Sequence, residues 1–293
     1  MTANMFYALK PFIPRSVQIK LRQQMVRLRY RFNRERWPIC ASSGASPPAW
    51  PGWPGGKRFA LVLTHDVESG RGVLQCERLA DLEERRELRS SFAFVPLRYL
   101  SPDDLRRALV KRGFGIMVHD LYHDGKLFRD RQTFEERALK INDVLARWGT
   151  RTFASGAMHH DLEWISELNI DSDISTFDVD PFEPQACGLG RIFPCWVESP
   201  QRDRPGFVEL PYTLSQDFTL FILLGHKTND FWQRKLDWIA GKGGMALIKT
   251  HPDYMPSVVM SVWTATRFGS TRISWTTSIR DMLATFGLHT HLT

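Results

Sequence analysis

The chain has 293 residues and a mass of 33.9 kDa, enough for one large core or two modest ones. Hydrophobic residues make up 43% and charged residues 24%, which argues against a disordered, collagenous or multi-span membrane chain. The net charge of +7 is concentrated at one end: residues 1 to 36 hold nine Lys or Arg against Glu35 alone, while the remainder carries 30 bases and 31 acids. The body therefore has no electrostatic footprint for nucleic acid.

In chain order, MTANMFYALKPFIPR offers no useful apolar run before Lys10 and no small-residue cleavage site. No stretch approaches the 18 apolar residues of a membrane span. A cytoplasmic chain without signal peptide or transmembrane helix is expected. Within a basic segment 1–40, Val17, Leu21, Met25, Leu28 and Phe32 recur at spacings of three and four, predicting a helix from Ser16 to Arg36. That helix reads equally as a peripheral contact with an anionic membrane at its inner face, or as a helix docked on its own domain with a solvated basic face. Residues 41–57, ASSGASPPAWPGWPGGK, form a Pro/Gly-rich connector.

The body, 58–257, alternates short apolar runs with helical patterns. Strands are predicted at Phe59 to Thr64, Ser91 to Val95, Phe114 to Val118, 152–158, 207–212 and Met245 to Thr250. Helices are predicted at Leu79 to Leu88, Asp103 to Lys111, Thr133 to Trp148, Leu162 to Leu168 and Asn229 to Ala240. The fold class is α/β, a short or distorted (β/α) barrel of about seven parallel strands behind an N-terminal basic helix. An open doubly wound sheet is the alternative, weakened because no Gly-rich loop follows the first strand. The tail 258–293 has a weak pattern, with one short helix suggested by Ile279, Met282, Leu283 and Phe286. Four Cys are too few and too scattered for a disulfide framework; Cys187 and Cys195 could pair, but free thiols are the simpler expectation.

Three apolar runs hand over directly to polar residues: Thr64-His65-Asp66-Val67-Glu68, Val118-His119-Asp120 and Thr250-His251-Pro252-Asp253. In a parallel β/α fold the C-terminal strand ends share one face, so these groups should converge there. His119 and His123, four apart on one turn of helix or a tight loop, aim two imidazoles at one point, and a nearby carboxylate would complete an open metal site. Surface or capping histidines are the plain alternative for the spacing alone.

The order VLTHDVE, GIMVHDLYHDG and LIKTHPDY resembles the metal-dependent polysaccharide deacetylases of carbohydrate esterase family 4, over about Phe59 to Tyr254. The resemblance implies one divalent metal, zinc first with cobalt or nickel as substitutes, and a glycan or glycolipid substrate bearing N-acetyl groups. By motif, Asp66 matches the general base, His119 and His123 the metal histidines, and His251 the acid that protonates the leaving amine. Val67 occupies the usual metal-aspartate position, so Glu68 takes that role, with Asp66 as its substitute. Asp253 is expected to orient His251, and Asp217 falls near the fourth motif. The third motif normally supplies an Arg to orient the base; Ala154 stands there, with Arg151 as the nearest replacement. That departure keeps a weak or inactive glycan-binding module open as an alternative, beside a small-amide hydrolase of the same fold. Tyr122, His159 and Tyr212 are candidate substrate contacts near predicted loops, each with packing as the plainer role. The oligomeric state is not legible in the sequence.

Overall fold

Strand β1 (Ala60–Val67) is buried along its whole length, the condition under which a strand reads as a continuous apolar run rather than an alternating one. The structure, a computed structural model, describes residues 14–48, 50–185, 188–201, 204–254 and 276–277. The other strands are β2 (Ser91–Phe94), β3 (Gly115–His119), β4 (Thr152–Ala154), β5 (Ser172–Asp173), β6 (Cys195–Val197), β7 (Phe207–Glu209), β8 (Met245–Thr250) and β9 (Thr276–Thr277). The sheet runs β6-β7-β5-β4-β3-β2-β1-β8, with β9 paired to Leu61 and Val62 of β1. From β7 to β8 the seven strands of that path are parallel, and β6 is antiparallel to β7. The chain leaving β7 then meets the far edge, where Thr213 N and Leu214 N both donate to Leu247 O at 3.0 Å. That contact curls the sheet into the distorted barrel expected from the strand–helix alternation.

Strand parity separates two layers. Ala60 and Val62 point inward with Ala93, Met117, Ala154, Ile174, Met245 and Leu247. Leu61, Leu63 and Val67 point outward against Leu79, Leu109 and Ile239. The outer layer comprises α2 (Cys76–Glu84), α3 (Asp103–Lys111), α4 (Arg131–Trp148) and α5 (Asp230–Lys242), preceded by α1 (Arg15–Asn33). Helix α4 starts at Asp130, whose side chain accepts from Thr133 N at 2.7 Å, and ends at Gly149 with φ 63°, a left-handed cap that glycine adopts without penalty.

The expected helix Leu162 to Leu168 is a single turn, Leu162–Ile165. Strands β5 and β6, two and three residues long, are not expected from the sequence, and the strands expected at 152–158 and 207–212 are shorter, Thr152–Ala154 and Phe207–Glu209. The connector contains turns at Ala41–Gly44 and Pro54–Gly56, but it is packed onto the barrel: Trp53 is buried and its Nε1 donates to Gly243 O at 2.7 Å. Cys195 is a free thiol; Cys187 and the helix suggested around Ile279 to Phe286 lie outside the described residues. Among the described residues no helix is long and apolar enough to cross a membrane.

The segment after β5 is tied to α5 by a buried ion pair, Lys235 Nζ to Asp178 Oδ2 at 2.7 Å. Burial raises the Asp178 carboxyl to about 6, from 3.8, against the pull of Lys235. Lys235→Met removes the buried cation paired with Asp178 and is expected to cost about 3–5 kcal/mol of stability. Asp178 is raised to about 6 even beside Lys235, so below that pH it is protonated in both folded proteins and both lose stability alike; the mutant's deficit grows as pH rises through about 6, where only the wild type can ionise the carboxyl. Urea unfolding of both proteins at pH 5 and pH 7.5 checks the size and the sign; an equal deficit at both would contradict it.

Candidate active site

Inward parity brings Asp66 to the C-terminal end of β1, His119 to the end of β3, and Lys249 and His251 to the end of β8. Glu68 follows β1 directly. Its loop is held by Asp253, which accepts from Glu68 N at 3.0 Å and from the Ser69 hydroxyl. His123 lies in the loop after β3, where Asp120 and His123 both have φ of 53°, so the pair His119/His123 sits on a tight loop. That loop presses against Gly156: a Cβ there would lie 2.6 Å from Asp120 Oδ2 and 3.2 Å from His123 Cδ2, a close approach that requires glycine.

One ligand atom each from Glu68, His119 and His123 lies within 4.8 Å of the others. His123 Nε2 is 3.0 Å from Glu68 Oε1, and the two imidazole centroids are 4.8 Å apart. His119 Nδ1 donates to Ala154 O at 3.1 Å, which turns the Nε2 lone pair into the site. Nε2 is buried with no hydrogen-bond partner among the described residues, and burial lowers this imidazole to about 4, so it is neutral at physiological pH. Burial works to raise Glu68, but the hydrogen bond and charge of His123 hold it well below the usual carboxylate range. Two imidazoles, one of them an orphaned buried nitrogen, and an ionised carboxylate fit a divalent ion of the zinc type.

Asp66 sits beside this set. Its Oδ2 is 3.7 Å from His119 Nε2 and 3.4 Å from Lys249 Nζ, and its Oδ1 is buried without a hydrogen-bond partner among the described residues. Burial pushes its pKa up, yet Lys249, then His119 and His251, bring it below the ordinary value. On the other side, Asp217 accepts from both the backbone N–H (2.9 Å) and Nδ1 (2.6 Å) of His251. His251 Nε2 thereby faces Glu68 Oε1, 3.6 Å away. Burial works against the charged imidazole, but Asp217 outweighs it and carries His251 up to about 10.

Several expectations are redirected. Asp217, not Asp253, orients His251; Asp253 holds the Glu68 loop instead. Arg151 does not stand in for the missing Arg: it is exposed and paired to Asp171 at 2.7 Å, pointing away because odd positions next to β4 face out. Ala154 contributes its carbonyl, which accepts from His119 Nδ1 and from Asp120 N. The cation beside Asp66 is Lys249, fully buried, its Nζ also donating to Ile174 O at 3.2 Å. A lysine inside the apolar run MALIKT, at inward parity, was the signal available in the sequence. Tyr212 lies in the core rather than on a groove: it is 1% exposed and its hydroxyl donates to Glu183 Oε1 at 2.6 Å. Tyr122 is half-buried with the Arg137 guanidinium 5.0 Å above its ring, and His159 is half-buried in the loop after β4. His65, facing outward, ties Thr250 to Glu83 in a buried network behind the site.

The sequence matches no known family profile and no curated protein. Solved structures share the fold at low identity. The "probable Polysaccharide deacetylase" of Pseudomonas aeruginosa PAO1 is 16% identical, with TM-score 0.66, over 88% of this chain and 100% of that one. Puue allantoinase is 16% identical, with TM-score 0.66, over 88% and 99%. The "putative polysaccharide deacetylase" of Mycobacterium smegmatis is 15% identical, with TM-score 0.61, over 84% and 94%. The chain has the fold of the polysaccharide deacetylases.

Proposed function

We propose that this protein is a metal-dependent hydrolase that removes N-acetyl groups from an amino-sugar polysaccharide or glycolipid precursor. One observation carries the reading: Asp66, Glu68, His119, His123 and His251 converge from three distant strand ends on one point of the barrel rim. Glu68, His119 and His123 would hold the ion, zinc first with cobalt or nickel able to replace it. When bound, it supplies Lewis-acid polarisation of the amide carbonyl and acidifies water.

The chain's own residues account for the proton transfers. Asp66 takes a proton from the attacking water, and its unpartnered Oδ1 is the atom free to receive it. The water oxygen bonds to the acyl carbon; as the C–N bond breaks, its electron pair leaves with nitrogen. His251, held by Asp217 with Nε2 toward the site, gives that nitrogen its proton. Acetate and a free amine result. Lys249 keeps Asp66 anionic in a buried setting, which supports an active enzyme over a binding module despite Ala154.

The test is metal content and acetate release from N-acetylated oligosaccharides, for the wild type and for His119→Ala, after zinc loading. About one ion per chain, lost in the variant together with acetate release, is the expected result. No metal in either, or full activity in His119→Ala, would overturn the reading. Turnover of cyclic amides but not N-acetyl sugars would move the substrate class to that of the allantoinase sharing this fold.

A further inference from the structure

Helix α1 presents its apolar stripe to the outside. Val17, Leu21, Met25, Leu28 and Phe32 are all exposed, from 43% at Val17 to 81% at Phe32. The face packed on the barrel is a different one: Val26 is 2% exposed, Gln23 Nε2 donates to Ile222 O at 2.8 Å, and Tyr30 meets Trp37 edge-on. At about 100° per residue the stripe spans roughly 80°, centred opposite the packed side. Lys20, Arg27 and Arg31 flank it on one side and Arg22 and Arg29 on the other, all exposed, and α1 contains no acidic residue.

We infer that α1 lies in the plane of an anionic lipid surface, its outward stripe seated at the boundary between headgroups and acyl chains. The charge pattern selects this occupant. Long cationic side chains on both borders of an apolar stripe can reach phosphate oxygens while their stems lie along the hydrocarbon. The nine bases of residues 1 to 36, set on a body with 30 bases and 31 acids, make this end the attractive one for a negative surface. The docked helix also fixes where the reactive rim sits. The Arg22 guanidinium lies 5.2 Å over the Phe218 ring, Phe218 stacks on Tyr254 at 5.5 Å, and Tyr254 is 5.5 Å from His251. Helix α1 thus lies next to the rim that carries His251. The docking itself does not depend on the reaction proposed above.

The experiment is flotation of the full 293-residue chain with phosphatidylcholine vesicles, with and without phosphatidylglycerol, in low and high salt. The wild type is expected to float with the anionic vesicles and to bind at least tenfold less in their absence or in high salt. Leu28→Glu/Phe32→Glu should lose binding at least tenfold with an unchanged melting temperature, since both side chains are exposed. Arg27→Gln/Arg31→Gln should weaken binding to anionic vesicles alone. Failure of the wild type to float, or equal flotation of Leu28→Glu/Phe32→Glu, would overturn the inference. So would a dimer in lipid-free solution that this variant dissolves without any vesicle binding, because the stripe would then belong to a second copy. Vesicle binding with no acetate release would leave the inference standing and count against the proposed reaction only.

Discussion

Asp66→Asn is expected to lower acetate release by about 10²–10⁴-fold while metal content stays near one ion per chain, the range of a lost general base. The carboxylate is close to the metal set but separate from it: the three ligand atoms cluster without Asp66, whose Oδ2 is 3.7 Å from His119 Nε2. Its value as a base depends on staying ionised in a buried place, and the nearest source of compensation is the Lys249 ammonium at 3.4 Å. Lys249→Met should therefore reproduce much of the Asp66→Asn loss in kcat, with KM and metal content little changed, and Lys249→Arg should recover part of it. A lysine that merely filled the barrel would show equal activity in Met and Arg variants of equal stability. Retention of full kcat in Asp66→Asn would remove the base from the mechanism, and loss of metal there would make Asp66 a ligand.

The second large effect separates substrates rather than lowering all rates together. An amine is a poor leaving group until protonated, whereas the phenolate of an aryl ester leaves unaided. His251→Gln is expected to cost about 10²–10⁴-fold on an N-acetyl amine and far less on an aryl acetate. Asp217→Asn should move in the same direction with a smaller loss. Its carboxylate accepts from the backbone N–H and Nδ1 of His251 and from Phe218 N, and an amide has only one oxygen to offer in place of two. Equal losses on amide and aryl ester would mean that His251 does not act as the acid.

Sequence alone determined the elements whose physics is local. Continuous apolar runs gave β1, β2, β3 and β8, and helices α3, α4 and α5 fall within two residues of where their patterns put them. Because a parallel β/α fold gathers its strand ends on one face, the sequence already assigns the polar residues at the ends of β1, β3 and β8 to a single site. What tertiary structure decided is which neighbour each of those groups received. Asp217 and Asp253 are both near His251 in space, and only the path of the chain after β7 puts Asp217 on the imidazole and Asp253 on the Glu68 loop. Arg151 and Lys249 were both cations near expected strands, but outward parity sends one to Asp171 and inward parity sends the other to Asp66. For Tyr212, where the sequence left a rim contact and packing open with packing the plainer, the segment after β7 decides for packing by enclosing its ring. The stripe on α1 was legible as a stripe, but the side the helix packs with is a property of the surface it meets. A period fixes which residues share a face; partners come from chain closure between positions from 20 residues apart (Arg151 and Asp171) to 185 (Glu68 and Asp253), and no local pattern encodes that.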